Sequence, residues 1–327
     1  VRVFGPAGIA STTGVWQIGS RSTRFTRYDS RWTRSDEVRM ITWEAGDFIT
    51  RGLPWTGAVR LGGVQVSRDF AVRPDIVTYP LPEFAGEAAL PSTVELFIND
   101  HRAGGGTIEP GPFTMATLPQ ISGAGEARLT VTDALGRRVT TTLPFYVSSA
   151  LLRTGLTDYA ISGGLLRRNY GTHSFDYGEA AASGSIRRGM TDTITLEAHA
   201  EASEHVALGG VGGVFGIGNS GILTASYSHS GHRDVAGGQL SVGYAYQARR
   251  FSLTANHIRR DHDFADITTD GGATAWRQLS SITASVSTGT FGNLGAALFE
   301  TRDRKGGKAR LATASWALPL GRLARLY

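Results

Sequence analysis

The sequence predicts an all-β protein: a transmembrane antiparallel β-barrel into which a small β-sandwich is inserted. Three observations carry this. Apolar and polar residues alternate with period two from about residue 156 onward. The alternating runs are about ten residues long, the length of a tilted strand crossing a bilayer. Residues 84–147 interrupt this texture with short strands and Gly/Pro turns.

In chain order, residues 1–83 hold early barrel strands, with Gly57-Ala58-Val59-Arg60-Leu61-Gly62-Gly63-Val64-Gln65-Val66 alternating. Residues 84–147 read as a globular β-sandwich. Val94 to Ile98 is a strand with a core face, and Asn99-Asp100 makes the next turn, since both residues tolerate left-handed backbone. Pro110-Gly111-Pro112 breaks the chain, and Asp133-Ala134-Leu135-Gly136 turns between the runs 128–132 and 139–145.

Residues 148–327 return to barrel strands. In Ile194 to Glu201 one face is Ile, Leu, Ala, Ala and the other Thr, Glu, His, Glu. Leu240 to Tyr246, Phe251 to Ala255, Ile282 to Val286 and Ala312 to Leu318 alternate likewise. Turns are expected at Gly189 to Asp192, Gly237-Gly238, Asp270-Gly271-Gly272, Gly292-Asn293 and Gly306-Gly307, and loops at Arg259 to Asp270 and Thr301 to Arg310. Tyr177, Tyr244, Tyr246, Phe251, Trp276, Phe291 and Trp316 stand at strand ends, where interfacial aromatics belong. The polar face suits a wet lumen and the apolar face suits lipid. On periodicity alone, a soluble antiparallel sandwich or barrel is the alternative.

Composition narrows the function. The 327 residues include 43 Gly and no Cys, which removes disulfides, thiolate metal sites and cysteine nucleophiles together. The net charge is +5, yet all 33 basic residues but Lys305 and Lys308 are arginine, scattered rather than clustered, so no nucleic-acid partner is expected. Residues 205–232 carry no Asp, Glu, Lys or Arg, but the glycines crowding 209–221 argue against a spanning helix. Within them, Gly216 to Gly221 fits GxGxxG; no helical period follows, so it reads as a turn and no dinucleotide cofactor is expected.

At this point the residues resemble a family. Arg60-Leu61-Gly62-Gly63 to Phe70, Tyr79-Pro80-Leu81-Pro82, Pro110-Gly111-Pro112-Phe113, Val131 to Arg137 with its Gly136, Phe145 to Ser148, and Leu151 to Tyr159 with Arg153 and Gly155 resemble the fimbrial outer-membrane usher family of chaperone–usher pilus assembly. The resemblance is dense from about residue 40 to 202 and thinner beyond. It implies a plugged barrel of about two dozen strands in the outer membrane of a Gram-negative bacterium. Such a pore receives chaperone–subunit complexes, joins pilus subunits by donor-strand exchange and passes the fibre outward, without cofactor or covalent chemistry. Its implied partners are pilus subunits, periplasmic chaperone–subunit complexes and outer-membrane lipid. Ushers usually carry Asn-Gly where this chain has Asn99-Asp100. The resemblance also implies further periplasmic domains, so the chain reads as a fragment with an incomplete barrel.

Two other classes compete with this reading. A porin or transport barrel with an internal plug is the alternative function. An outer-membrane enzyme would draw on the His/Asp-rich run 256–263, where His257 and His262 fall on opposite strand faces and Asp261 and Asp263 share one; no GxSxG elbow is present, and neither a catalytic residue nor a metal site is expected. For gating, the charged residues of the inserted domain (Arg102, Glu126, Arg128, Asp133, Arg137, Arg138) are expected to meet lumen charges (Arg167, Arg168, Glu197, Glu201).

Overall fold

A computed structural model describes residues 1–18, 23–116, 122–270, 276–319 and 325–326. The chain opens with five strands, β1 (Arg2–Gly5), β2 (Gly8–Ile18), β3 (Thr23–Asp36), β4 (Ile41–Ile49) and β5 (Arg60–Arg68). The inserted region holds β6 (Glu83–Ala88), β7 (Ser92–Ile98), β8 (His101–Ile108), β9 (Gly111–Ala116), β10 (Gly123–Asp133) and β11 (Arg138–Val147). Eleven strands follow. The first six are β12 (Thr157–Arg167), β13 (Tyr177–Thr191), β14 (Ile194–Ser203), β15 (Val206–Gly216), β16 (Ile222–His232) and β17 (Val235–Gln247). The rest are β18 (Phe251–Arg260), β19 (Trp276–Ser287), β20 (Asn293–Asp303), β21 (Lys308–Pro319) and β22 (Arg325–Leu326). Among the described residues no helix is long and apolar enough to cross a membrane.

Sixteen strands form one sheet in chain order, with β5 pairing directly to β12 across the insertion. The pairings are antiparallel throughout. Among the described residues, β1 pairs with β2 alone and β22 with β21 alone, so the sheet curls without closing. The curl follows from distances. Phe264 lies against Gly237 of β17, while Ile267 packs with Phe48 of β4 and Leu61 of β5. In a flat sheet β4 and β17 would stand about 34 Å apart, and three residues span about 10 Å. The sheet is therefore strongly concave, and the face that touches residues 264–267 is its inner face.

The burial of that sheet is inverted relative to a soluble protein. On β14 the polar Thr195, Glu197, His199 and Glu201 are buried, while Leu196 between them is 46% exposed. Gln65, Ser162, Ser183, Ser226, Ser228, Ser230 and Gln239 are likewise buried, while Val211, Tyr227 and Leu240 are exposed. A polar inside and an apolar outside suit a barrel wall between water and lipid.

The inserted domain is the reverse. Its four-stranded sheet runs β11-β10-β7-β8, and β6 pairs with β9 in a second sheet. Phe84, Val94, Leu96, Ile98, Ala127, Leu129, Phe145 and Val147 form one buried core between the two, joined by Phe113 and Met115. Asn99 and Asp100 both take positive φ (+47° and +71°), the backbone of a two-residue hairpin turn whose twist matches its strands. Gly136 at φ +78° closes the β10–β11 turn, where the Asp133 carboxylate accepts from the backbone N–H groups of Leu135 and Arg137. Arg137 holds the Asp133 carboxyl below the usual carboxylate range, through its backbone N–H first and its side chain second.

The domain leaves and re-enters at one rim. Its tether is stitched there: Arg153 N donates to Thr78 O, Gly155 N to Gly189 O, and Leu152 N to Thr195 Oγ1. At this rim the strands join by turns such as 192–193, 217–221 and 248–250, while the opposite rim carries the two-residue turns 204–205 and 233–234 and the longer segments 50–59, 168–176 and 261–270. Tyr244, Phe251, Phe291 and Trp316 gather at this rim, with Trp316 Nε1 donating to Phe291 O at 2.8 Å.

Four expectations about turns need correction. Of the expected turn Gly189 to Asp192, the first three residues lie inside β13, and only 192–193 separate it from β14. Gly237-Gly238 lies inside β17; Arg233 at φ +52° takes the turn instead, and Gly237 is small because the Phe264 backbone presses on it. The expected loop 301–310 is mostly strand, with only residues 304–307 between β20 and β21. The expected loop 259–270 ends in a helical turn, α1 (Ile267–Asp270). The expected turn residues Gly271 and Gly272, and Tyr327, lie outside the described residues.

Candidate pore-lining site

Two segments from the far rim fold back onto the inner face of the sheet. The first is residues 50–59, between β4 and β5. Its Trp55 ring lies on Gly210 and Gly212 of β15, where a Cβ would come within 3.0 Å of the indole. Trp55 Nε1 donates to Glu197 Oε2 at 2.8 Å, and Gln239 Nε2 donates to Trp55 O at 2.8 Å. Glu197 also accepts from Arg187 Nε at 2.8 Å, and the His199 ring meets Trp55 edge-on.

The second segment is residues 261–270. Asp266 caps α1, accepting from Thr269 N at 2.9 Å and from Thr268 Oγ1. Arg260 donates to Asp266 Oδ2 at 2.9 Å and to Gln239 Oε1 at 2.7 Å. Ala265 N donates to Ser230 Oγ, and Ile267 N donates to Glu201 Oε2 at 3.0 Å. Glu201 Oε1 pairs with His199 Nε2 at 2.8 Å. Ile267 seats in a small apolar patch of Phe48, Leu61, Leu166 and Ala181. The two segments touch, with Thr268 lying over Gly57.

The arrangement closes off part of the inner face with charged groups that pair with one another, His199 through Nε2 alone, its Nδ1 having no hydrogen-bond partner. Glu197, Glu201, Asp266, His199 and Arg260 are each under 10% exposed. Removing one partner of such a pair leaves an uncompensated buried charge, costing about 3–5 kcal/mol. The network therefore fixes the geometry of the two segments rather than adding bulk stability.

The structure places the expected gating residues elsewhere than on one another. Arg102 pairs with Glu95 at 3.5 Å, Arg128 with Asp100, and Arg137 with Asp133 at 2.7 Å, all within the inserted domain. Arg138 is exposed, and Glu126 accepts from Asn99 N through its carbonyl and donates its N–H to Asn99 Oδ1 while the residue is exposed. Glu197 and Glu201 do line the inner face, but their partners come from residues 50–59 and 261–270 and from neighbouring strand positions. Arg167 points outward, since Leu166 beside it faces Leu61 on the inner side. It joins Arg27, Asp47 and Tyr177 under the segment 168–176, with Arg27 bonding Asp47 and Tyr177 donating to Asp47 at 2.6 Å. Arg168 pairs with Glu179 at 2.9 Å on the far rim.

What joins the inserted domain to the sheet is aromatic. Tyr146 stacks on Tyr246 at 6.0 Å, its hydroxyl accepts from Gln247 N at 3.2 Å, and Leu151, Val214 and Ile222 form a small core beside it. Burial pushes the Tyr146 hydroxyl pKa up.

The family-motif positions have local reasons. Gly62 lies under the Tyr177 ring, and a Cβ on Gly63 would run into the backbone of Gly163 and Gly164 on β12. Arg60 bonds Asp29 at 2.6 Å and covers the Tyr170 ring. Gly111, between Pro110 and Pro112, takes φ +132°, and Phe113 packs over Gly86. Gly155 takes φ +84° in the tether beside Arg153. In the run 256–263, His257 bonds Ser280, His262 bonds Asp263, and Asp261 accepts from Gly238 N, so these groups do not converge. Sequence reasoning missed Trp55, His199, Arg187, Gln239, Arg260 and Asp266. The signal for the first was a lone Trp in a Gly/Pro turn between two strands.

Comparison with known proteins agrees with this geometry. The sequence model described as outer membrane usher protein matches residues 46–263. The outer membrane usher protein FaeD of Escherichia coli is 23% identical over 303 residues, covering 84% of this chain and 35% of the relative. The F1 capsule-anchoring protein of Yersinia pestis is 24% identical over 161 residues, covering 49% of this chain and 19% of the relative. The chain thus spans about a fifth to a third of these relatives. The crystal structure of the usher PapC translocation pore shares the fold at a TM-score of 0.58 and 14% identity, covering 98% of this chain and 71% of that one. PapC in a P pilus tip assembly intermediate, PapC-PapD-PapK-PapG, matches at the same TM-score over 96% of this chain and 45% of that one. With two thirds of its length matched by the family, an inside-out sheet and a domain inserted at one rim, the chain belongs to the outer membrane usher protein family, and its sheet is barrel wall of a bacterial outer membrane.

Proposed function

We propose that the chain is the part of a pilus usher that holds the pore shut and lets subunits through: wall, plug and inner restraints. The observation that carries this is the insertion of an independent β-domain between two adjacent wall strands, β5 and β12, at one rim, which in this reading faces the periplasm. In this reading residues 84–147 are the plug. The segments 50–59 and 261–270, pinned to Glu197, Glu201 and Gln239, narrow the lumen from the other side. Chaperone-delivered pilus subunits are the cargo, and PapC's appearance in an assembly intermediate supports that class of partner. The work is translocation and non-covalent strand exchange rather than bond-making.

The test is single-channel conductance of the full-length protein in planar bilayers. Deleting residues 84–147 is expected to raise the current, and no rise would overturn the plug assignment. Trp55→Ala, which frees Glu197 and the segment 50–59, is expected to increase the frequency of open events without changing the wall. Pilus display by a strain carrying this protein as its sole usher tests the cargo; a conducting pore that exports no fibre would favour the porin reading.

A further inference from the structure

The rim opposite the inserted domain carries a cluster that the pore argument does not use. Glu179 is the third residue of β13, and Glu204 and His205 form the turn between β14 and β15. One ligand atom from each lies within 4.8 Å of the others. His205 Nδ1 stands 3.3 Å from Glu179 Oε2. β16 brings a second imidazole: His232 sits opposite Val206 in the ladder, with its ring centroid 6.4 Å from that of His205. The His232 Nδ1 atom is buried and has no hydrogen-bond partner. A buried polar atom left unpaired costs about 1–3 kcal/mol, so its position calls for a reason.

We propose that Glu179, Glu204, His205 and His232 form a Zn²⁺ site at the outer mouth of the barrel. Two imidazoles and two carboxylates are a donor set that zinc accepts and that hard cations such as Ca²⁺ do not favour. Tetrahedral bonds near 2.1 Å place ligand atoms about 3.4 Å apart, so the 4.8 Å spread of Glu179, Glu204 and His205 closes by about 1 Å or somewhat more, and the His232 ring, outside that group of three, turns in from β16. Glu204 is exposed in a turn and can supply that movement. Arg168 Nη2 donates to Glu179 Oε1 at 2.9 Å, leaving Oε2 turned toward His205, as outer partners of metal ligands orient them. A bound ion would clamp β13, β14, β15 and β16 at the rim where the segments 50–59 and 261–270 enter. No sequence motif marks the site, because its ligands are distant in the chain and meet only through the ladder. The inference does not rest on the proposed export function.

The test uses the full-length protein in detergent, stripped of metal by a chelator and titrated with Co²⁺ as a spectroscopic probe. Wild type is expected to develop the visible absorption of four-coordinate Co²⁺ and to lose it when Zn²⁺ is added. His205→Ala is expected to abolish that absorption, and His232→Ala and Glu179→Gln to weaken binding at least about tenfold. His257→Ala, exposed on β18, is the control and should change nothing. Heat-modifiable gel mobility reports folding; should His205→Ala fail to fold, the exposed Glu204→Gln carries the test. No absorption in wild type, or absorption retained in both His205→Ala and Glu204→Gln, would overturn the proposal and leave an ordinary His205–Glu179 ion pair.

Discussion

The barrel sheet and the inserted domain use the same alternation and pack it in opposite senses. On β14 the polar face is buried and Leu196 is exposed; on β7 the apolar Val94, Leu96 and Ile98 are buried and Thr93 is exposed. Both patterns have period two, so strand formation does not distinguish them. The environment does. The inserted domain must hide its apolar face from water on all sides, while the sheet has water on its concave side and lipid on its convex side. A buried Glu197 would be costly in the first setting without partners, and in the second it has two.

Opposite substitutions should therefore break the two regions. Leu96→Ala, at a fully buried site, is expected to cost about 2–5 kcal/mol and to speed hydrogen exchange along β7 and β10, while Leu196→Ala on the wall is nearly neutral. Equal effects at the two leucines would mean the wall is a soluble core after all. In the other direction, Val211→Arg on the outward face of β15 is expected to cost about 2–4 kcal/mol in folding into lipid vesicles, whereas an arginine at the exposed Val139 of the inserted domain is tolerated. Val211→Arg folding as well as wild type would contradict a lipid-facing position.

The smallest effect concerns pH. Asp133 titrates below its unfolded value, so its contribution to the inserted domain is complete above the usual carboxylate pKa. That contribution fades as pH falls through the folded one. Asp133→Asn should destabilise the domain slightly at neutral pH, and the difference from wild type should shrink in acid. A difference that grows in acid would contradict the Arg137 interaction as its source.

Much of this was legible in the residues. Period two marked the strands, and the hydroxyl- and charge-rich face marked the lumen side. The insertion announced itself by its Gly/Pro boundaries and by Asn99-Asp100. What escaped has a common cause. Segments 50–59 and 261–270 carry polar residues that a sequence reader sends to solvent, yet they fold inward because the barrel interior is itself polar. Gly237 looked like a turn and proved to be clearance for the Phe264 backbone. Arg167 shares its face with Leu165, as period two requires, but that this face is the outer one is fixed only by Leu166 pairing with Leu61 on the inner side. Charges expected to bridge the domain and the lumen found closer partners within each, since opposite charges on neighbouring strands meet before distant ones do.

The central claim is that the convex face of the sheet meets lipid. The chain has no cysteine, so single cysteines can be introduced cleanly at Leu196, Val211 and Leu240 on the wall and at Leu135 and Val139 on the inserted domain. Spin labels at these positions, in the full-length protein in liposomes, report collision with oxygen against a water-soluble nickel chelate. The account predicts oxygen dominating at the three wall positions and nickel at the two domain positions. Nickel dominating at Leu196 and Val211 would contradict it, and the sheet would then be a soluble barrel with a wet exterior.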